Sequence, residues 1–338
     1  MKTITLQKPG EFIQSDTEFP LKPGSDEVLV QIRRIGVCGT DLHAYRGRQP
    51  FFSYPRILGH ELGVEVIACG ENAPFQKGQH CAVEPYLYCG TCSACRKGKT
   101  NCCENLEVLG VHVDGGMREQ MLVPAKNLYT SNKLKPEQLA LVETLGIGKH
   151  AVERAAIEKN DAILVLGAGP IGLAVLQFAQ LYDIPLVVAD LDQGRLQFCK
   201  NNMQVTAVLE AGHDQFIASL KKALGGELPS VVFDATGNPD SMHKALDYLA
   251  PGSKLVFVGL FQGDYTFHDP LFHKKEVTLM SSRNSTGKDF RSIIHFMEEG
   301  KIDTAPWITH YLKLDDVVDG FPSLLNPAEG VVKAMISV

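Results

Sequence analysis

The pattern of apolar and polar positions changes twice along the chain. From residue 25 to about 35, the segment EVLVQIRRIG alternates apolar with polar positions, which predicts a strand. Short strand-like runs follow at Gly63–Cys69 and His80–Val83, separated by turns that Gly and Pro mark. This first stretch is therefore predicted to form a compact, mostly β domain.

After about residue 145, apolar strands alternate with amphipathic helices. AILVLGAG leads into PIGLAVLQFAQLYD, PLVVAD precedes RLQFCKNN, and SVVFDATG precedes PDSMHKALDYLA. KLVFVGLF and EVTLMSS follow as two more strands, and the last fifty or so residues return to shorter mixed elements. Uninterrupted apolar strands between helices predict a parallel sheet that is covered on both faces.

Length and charge narrow the class of protein. A chain of 338 residues is long for one hydrophobic core, so two domains are expected. The net charge is −6 without a basic stretch, and we expect neither nucleic acid nor a membrane as partner. The opening, Met1 to Pro20, lacks the apolar core of a secretory signal, and no apolar run is long enough to span a bilayer. A cytoplasmic protein is expected.

Five of the nine cysteines fall within fifteen residues. An odd count without a signal argues against a disulfide framework and favours metal binding. Four of them, Cys89, Cys92, Cys95 and Cys103, have the spacing C-x2-C-x2-C-x7-C in a polar segment at 84–105. Four thiolates fill the tetrahedral coordination of zinc, so the spacing predicts a structural site. From the spacing alone, Cys102 could replace Cys103.

A glycine motif predicts a dinucleotide site. Gly167, Gly169 and Gly172 follow the strand AILVL and open a helix, with Pro170 and Ile171 between them. The glycines permit a tight turn, close approach to a pyrophosphate and close packing of helix on strand, and the helix N-terminus attracts phosphate. The alternative is a cluster of turn glycines with no ligand.

Further residues are expected to line the same crevice. Asp190 ends the next strand, where a carboxylate accepts ribose hydroxyls and repels a 2′-phosphate, which favours NAD over NADP. Arg195 leaves NADP open, because it could accept a 2′-phosphate or cover the adenine face. The remaining candidates, next to Asp190 or at later strand ends, are Leu191, Thr236, Val258, Gly259 and Leu260.

A second set of possible metal ligands is dispersed along the chain. Cys38 lies in VCGTDLH, His60 and Glu61 lie in LGHELG, and Glu143 lies in LVETLG. Cysteine, imidazole and carboxylate groups bind zinc, and three such ligands with a water molecule form a catalytic site. From spacing alone, a structural cysteine and solvated carboxylates explain these residues equally well.

Together these motifs resemble the zinc-containing medium-chain alcohol dehydrogenase family, in its polyol and sugar-acid branch with sorbitol, threonine and L-galactonate or L-gulonate 5-dehydrogenases. The ordered set C-G-T-D-x-H, G-H-E, four cysteines and G-x-G-x-x-G runs over essentially the whole chain. The resemblance implies a GroES-like catalytic domain, residues 1–144 plus 283–338 with a zinc lobe at 84–105. Residues 145–282 would form an inserted Rossmann NAD-binding domain. It also implies two zinc ions per subunit and a homodimer or homotetramer.

The resemblance also implies roles at the predicted catalytic zinc. Cys38 and His60 resemble the zinc ligands, and Glu143 falls where polyol dehydrogenases carry glutamate and simple alcohol dehydrogenases carry cysteine. Glu61 falls where the family has a carboxylate that can approach the metal or exchange onto it. In the lobe, the family spacing selects Cys103 over Cys102.

Further roles follow from the same resemblance. Thr40 and His43 resemble the proton relay, and Asp41 resembles the group that orients His60. Lys333 falls where the family often has a cation near the pyrophosphate; a solvated strand lysine is the alternative. Arg283, with Asn284, could bind a carboxylate or vicinal hydroxyls, or instead only cap a strand or contact the cofactor. Another candidate for the wall of the substrate pocket is Tyr45.

The implied function is hydride transfer between NAD and a secondary alcohol of a small polyol or sugar acid, such as a hexonate oxidised at carbon 5. One alternative is an L-threonine 3-dehydrogenase or another zinc alcohol dehydrogenase, since these share every motif above. A more remote alternative is a dinucleotide-binding protein that is stabilised by a structural zinc ion and has no catalytic activity. The relay residues Thr40 and His43 argue against the last alternative, because a binding module needs no proton relay.

Overall fold

The computed structural model describes residues 1–20, 22–50 and 52–338. The chain forms two compact units: Met1–Thr144 together with Ser285–Val338, and Leu145–Asn284. The first unit is therefore built from both ends of the chain, and the second is inserted between them. None of the helices in the described ranges is long and apolar enough to cross a membrane.

The elements are numbered in chain order over the described residues. The strands are β1 (Lys2–Lys8), β2 (Glu11–Asp16), β3 (Glu27–Val37), β4 (Glu61–Cys69), β5 (His80–Val83), β6 (Tyr86–Leu87), β7 (Glu107–Val108), β8 (Gln120–Pro124), β9 (Leu128–Ser131), β10 (Ile163–Leu166), β11 (Leu186–Asp190), β12 (Ala207–Glu210), β13 (Val231–Asp234), β14 (Lys254–Phe257), β15 (Thr278–Ser281), β16 (Ile308–Lys313) and β17 (Lys333–Ser337). The α-helices are α1 (Gly39–Tyr45), α2 (Ser93–Arg96), α3 (Pro136–Ala140), α4 (Val142–Ala155), α5 (Pro170–Ala179), α6 (Gln193–Asn202), α7 (Phe216–Ala223), α8 (Pro239–Lys244), α9 (Asp269–Lys275), α10 (Gly287–Glu298) and α11 (Val317–Gly320).

The main sheet of the first unit has the strand order β16-β17-β3-β4-β5-β9, and β8 also pairs with β3. Alternation in β3 places Val28, Val30 and Ile32 in the buried core, as the sequence pattern predicts. The last strand, β17, pairs antiparallel with β3, and β3 pairs antiparallel with β4. The carboxyl end of β3 therefore lies beside the first residues of both β4 and β17.

The sheet of the second unit is parallel, with the order β12-β11-β10-β13-β14-β15. Every residue of β10 is buried, which explains its uninterrupted apolar sequence. From β10 the chain continues to β11 on one side and returns to β13 on the other side. Ligands of such sheets bind outside the carboxyl ends of the strands at this reversal, and Gly167 directly follows β10.

Candidate metal centres and dinucleotide site

The dispersed ligand candidates converge at one edge of the main sheet. Cys38 directly follows β3, and His60 directly precedes β4. Gly36 pairs with Glu61 across these strands, and this pairing makes Cys38 and His60 neighbours. The ligand atoms of Cys38, His60 and Glu61 all lie within 4.8 Å of one another. We call these three residues the strand-end cluster.

Glu61 forms a buried ion pair with the final strand. Lys333, the first residue of β17, is 1% exposed, and its Nζ lies 2.5 Å from Glu61 Oε1. Burial acts to raise the pKa of Glu61, but the Lys333 ammonium outweighs it and the pKa is lowered. Glu61 is therefore charged. Lys333 is therefore not a solvated strand lysine; its ammonium is bound to Glu61, and a contact with the cofactor pyrophosphate stays a prediction.

The second carboxylate oxygen of Glu61 is buried without a hydrogen-bond partner. It lies against Gly36, where any Cβ would collide with Oε2. Leaving a charged oxygen buried and unpaired costs free energy. A divalent cation held with Cys38 and His60 would remove that cost, so the residues present fit a zinc ion.

His60 faces a second buried carboxylate. Its Nδ1 lies 3.7 Å from Asp41 Oδ1, and Asp41 is fully buried in the first turn of α1. Burial acts to lower the pKa of His60, but the charge of Asp41 raises it well above the usual range. The other oxygen of Asp41 accepts a hydrogen bond from the backbone N–H of Cys38, at 2.9 Å. Asp41 thus connects two members of the strand-end cluster.

Glu143, a predicted ligand of the catalytic zinc, does not belong to the strand-end cluster. It lies in the first turn of α4 and is buried. Its Oε1 accepts a hydrogen bond from the hydroxyl of Tyr86, which is buried as well. Burial raises the pKa of Glu143. Tyr86 was not found by sequence reasoning, because it lies in the aperiodic segment before the cysteines.

Helix α1 carries the candidates for the proton relay and the substrate wall. Thr40 is half-buried, and His43 is largely exposed. Partial loss of water around the His43 ring, together with the positive charges of Arg46 and Arg48, lowers the pKa of His43. Tyr45, at the end of α1, packs against two aromatic rings, with its centroid 5.4 Å from Phe12 and 5.3 Å from Phe321. Its hydroxyl donates to the Gly10 carbonyl at 3.0 Å.

The four predicted lobe cysteines come together as a second cluster. The Sγ atoms of Cys89, Cys92, Cys95 and Cys103 lie within 4.8 Å of one another, and we call them the cysteine cluster. Cys89 Sγ accepts hydrogen bonds from the backbone N–H groups of Thr91 and Cys92, both at 3.4 Å. Hydrogen bonds from Thr91, the strongest effect coming from its hydroxyl and the next from its backbone N–H, lower the pKa of Cys89 to about 6. Such a thiolate set fits zinc. Cys102 is exposed and outside the cluster.

The glycine motif forms a tight turn in the second unit. Gly167 adopts φ +94°, a conformation that favours glycine, and a Cβ at Gly172 would collide with the Gly167 carbonyl. Gly169 is the N-cap of α5, so Pro170 and Ile171 begin this helix. The backbone N–H groups at its start face the turn, as a phosphate site requires.

Asp190 is tied to this turn. Its Oδ2 accepts a hydrogen bond from the N–H of Ala168 at 2.6 Å, and its Oδ1 accepts one from Asp192 at 2.9 Å. Arg195 Nη1 lies 3.9 Å from Asp190 Oδ2. Asp190 therefore holds the end of β11 against the glycine turn, a role that the sequence analysis did not assign.

The other crevice candidates lie at strand ends. Leu191 and Leu260 are 73% and 76% exposed, which is unusual for large apolar side chains. Thr236 donates its hydroxyl to Asp234 Oδ1 at 2.6 Å, so the buried Asp234 shapes this loop although sequence reasoning missed it. The remaining two candidates, Val258 and Gly259, directly follow β14.

Arg283 and Asn284 end the second unit. Arg283 is exposed, whereas Asn284 is half-buried with φ +52°, a conformation that asparagine tolerates better than most residues. The side-chain Nδ2 of Asn284 is buried without a hydrogen-bond partner. A polar group held in this way suits a ligand contact.

Comparison with known proteins decides the family. A family model described as "Alcohol dehydrogenase GroES-like domain" matches residues 24–133, and one described as "Zinc-binding dehydrogenase" matches residues 170–299. The chain belongs to the zinc-type medium-chain alcohol dehydrogenase family. The predicted fold, a GroES-like domain with an inserted Rossmann domain, is thereby confirmed.

Individual relatives agree with this family. The chain is 43% identical over 311 residues to L-galactonate-5-dehydrogenase of Escherichia coli (strain K12), covering 92% of this chain and 91% of the relative. It is 28% identical to L-threonine 3-dehydrogenase of Pyrococcus horikoshii, over 99% of each chain. The solved alcohol dehydrogenase RspB from E. coli CFT073, complexed with cofactor NADH, is 30% identical with a TM-score of 0.93, covering 100% of this chain and 99% of that one. The predicted class, a zinc-dependent NAD-linked oxidoreductase, is confirmed.

Proposed function

We propose that this dehydrogenase oxidises the secondary hydroxyl at carbon 5 of a hexonate, with NAD as the hydride acceptor. The observation that carries the substrate class is the 43% identity to L-galactonate-5-dehydrogenase over 92% of this chain. The strand-end cluster supports the chemistry, because a half-buried cysteine with a buried histidine and a buried carboxylate matches the ligand types of catalytic zinc.

In this proposal Cys38, His60 and Glu61 hold the catalytic zinc, and the cysteine cluster holds a structural one. When bound, the catalytic ion would supply Lewis acidity, lowering the pKa of the substrate hydroxyl. Lys333 keeps Glu61 ionised, and Asp41 orients His60 through its Nδ1 side. The ligand set is supported by the unpaired Oε2 of Glu61, which needs a cation.

Thr40 and His43 move the proton. They lie three residues apart on α1, which places them on one face of the helix. Thr40 Oγ1 would accept the proton of the substrate hydroxyl, and the exposed ring of His43 would release it to solvent. The hydride from carbon 5 goes to the nicotinamide of NAD, so the products are a ketone, NADH and one proton.

Residues 145–282 are proposed to be the NAD-binding domain, and residues 1–144 plus 283–338 the catalytic domain. The turn at Gly167, Gly169 and Gly172 would hold the pyrophosphate, and Asp190 would accept the ribose hydroxyls. The exposed Leu191 and Leu260 offer apolar walls for the adenine. Arg283 would pair with the substrate carboxylate, as a guanidinium fork suits that group.

The experiment is a substrate panel with the purified enzyme. Reduction of NAD and of NADP is measured with L-galactonate, L-gulonate, sorbitol and L-threonine, with and without a chelator. We expect a hexonate to exceed L-threonine in kcat/KM by about 100-fold, because a site built for a polar group discriminates by several kcal/mol. Faster turnover of L-threonine would establish the alternative dehydrogenase. NAD binding without turnover of any substrate would establish a binding protein.

We also propose that the enzyme is cytoplasmic and that it assembles as a homodimer or a homotetramer. No cysteine in the described ranges forms a disulfide, which suits a reducing compartment. Light scattering during size-exclusion chromatography measures the assembly directly, and a monomeric mass would contradict it.

A further inference from the structure

We infer that Tyr86 is a positioning residue that holds Glu143 off the catalytic metal, leaving Cys38, His60 and Glu61 as the protein ligands and one coordination position open. The inference rests on the proposed function and deepens it. The observation behind it is that the charge of His60 acts on two buried glutamates, Glu61 and Glu143, and that a different hydrogen-bond donor holds each one.

The contact itself is specific. Both Tyr86 and Glu143 are buried, and the phenol hydroxyl donates to Oε1 of the carboxylate. Glu143 would have to leave this bond, and leave the phenol unpaired in the protein interior, in order to turn toward the metal.

Tyr86 is itself fixed by its backbone. The buried side-chain amide of Asn127 donates to the carbonyl of Tyr86 at 3.0 Å and to the carbonyl of Glu84 at 2.9 Å. In return, the N–H of Glu84 donates to the carbonyl of Asn127 at 2.8 Å. Tyr86 also pairs with Val108 between β6 and β7. The phenol is therefore presented from a rigid backbone and can act as a fixed anchor.

The second glutamate is held differently. Lys333 donates to Oε1 of Glu61 at 2.5 Å and leaves Oε2 buried and unpaired, and one oxygen of this carboxylate lies within 4.8 Å of the ligand atoms of Cys38 and His60. A fourth protein ligand would give zinc the closed coordination of a structural site, whereas catalysis needs an open position. By holding Glu143 away, Tyr86 decides which carboxylate coordinates and keeps that position free.

The test replaces Tyr86 by Phe, which keeps the ring and removes the donor. Freed from the phenol, Glu143 should move onto the metal. We expect kcat for hexonate oxidation to fall roughly 10- to 100-fold, the usual effect of losing an outer-shell partner, with KM for NAD unchanged. Release of zinc to a chromophoric chelator should become slower.

Cobalt(II) substitution supplies a readout besides activity. The visible ligand-field bands of cobalt report the number and type of ligands, and bands of the cysteine cluster are common to all variants. The spectrum of Tyr86→Phe should differ from that of the wild type. Glu143→Gln alone should leave the wild-type spectrum unchanged, because Glu143 is not a ligand in the native enzyme.

Tyr88→Phe is the matched control. It makes the same change two residues along the chain, at a half-buried tyrosine whose ring has the Lys126 ammonium 4.1 Å from its centroid. It should leave kcat, zinc release and the cobalt spectrum as in the wild type. In a Glu143→Gln background, Tyr86→Phe should cause no further loss of kcat, because its effect passes through Glu143.

Three results would overturn the inference: an unchanged cobalt spectrum and zinc release in Tyr86→Phe, an equal loss of kcat in the Glu143→Gln background, or a changed spectrum in Glu143→Gln alone. The last of these needs no Tyr86 variant, so it decides even if Tyr86→Phe does not fold. A wild-type enzyme inactive on hexonates would refute the substrate proposal while the spectra still tested the ligand set.

Discussion

The two metal-binding clusters of this enzyme are assembled in opposite ways. The cysteine cluster draws all its residues from fifteen consecutive positions, and its sulfurs accept hydrogen bonds from the same loop. The strand-end cluster draws its residues from the adjacent ends of two antiparallel strands, and Glu61 depends on Lys333, 272 residues away. The first cluster needs only its own loop, whereas the second forms only when the whole sheet is correctly paired.

Replacing Cys38 by Ser should give the largest effect and test whether the strand-end cluster alone carries catalysis. Turnover should fall about 10³-fold, because Lewis-acid activation contributes several kcal/mol and each 1.36 kcal/mol is tenfold in rate. Steady-state kinetics gives the loss, and fluorescence titration should show NAD affinity close to that of the wild type. Loss of NAD binding in this variant would contradict the assignment of the cofactor to the inserted unit.

Lys333→Met tests whether the strand-end cluster depends on the distant strand. Removing the ammonium leaves Oε1 of the charged, buried Glu61 without its partner, so the free energy of unfolding should fall by roughly 3–5 kcal/mol. Urea unfolding can be followed through Trp307, the single tryptophan, which is buried in the same unit.

The matched control for this variant is Lys301→Met, which removes the lysine of the largely exposed pair with Glu299. Its cost should stay below about 1 kcal/mol, as is usual for surface pairs. Equal costs for Lys301→Met and Lys333→Met would mean that burial of the Lys333–Glu61 pair has no energetic consequence.

Cys103→Ser should have a smaller effect, confined to the lobe. One zinc ion per chain should be lost, and the apparent melting temperature should fall by roughly 5–10 °C, since the ion contributes directly to folding. Zinc analysis and differential scanning fluorimetry measure both quantities. Cys102→Ser makes the same change one residue earlier, at an exposed thiol outside the cluster, and should leave both unchanged. If Cys102→Ser lost the ion instead, the cluster would have been assigned one residue out of register.

The same contrast explains what could be predicted from the sequence. The cysteine cluster was predictable because its residues are close in sequence and their spacing matches the geometry of one ion. The strands at Gly63–Cys69 and His80–Val83 match β4 and β5 closely, because short alternating or apolar runs depend on local burial. The glycine turn was predictable for the same reason, since Gly167 and Gly172 meet within one turn.

Long-range partners could not be predicted. Nothing local to Lys333 indicates that β17 pairs with β3, and this pairing is what brings its ammonium to Glu61. Likewise, the choice between Glu61 and Glu143 depends on Tyr86, and the bond from Tyr86 to Glu143 spans 57 residues. Hydrophobic periodicity carries no information on such polar pairs, because each depends on which elements of the fold lie side by side and not on burial alone.

Gly36 places a limit on how this metal centre could be transferred or evolved. The carboxylate of Glu61 occupies the space that a side chain at position 36 would need, and the two residues are cross-strand partners. An alanine there would push Oε2 out of the cluster without touching any ligand or changing any charge. A protein engineer who grafts Cys38, His60 and Glu61 onto a related sheet must therefore carry over Gly36 as well.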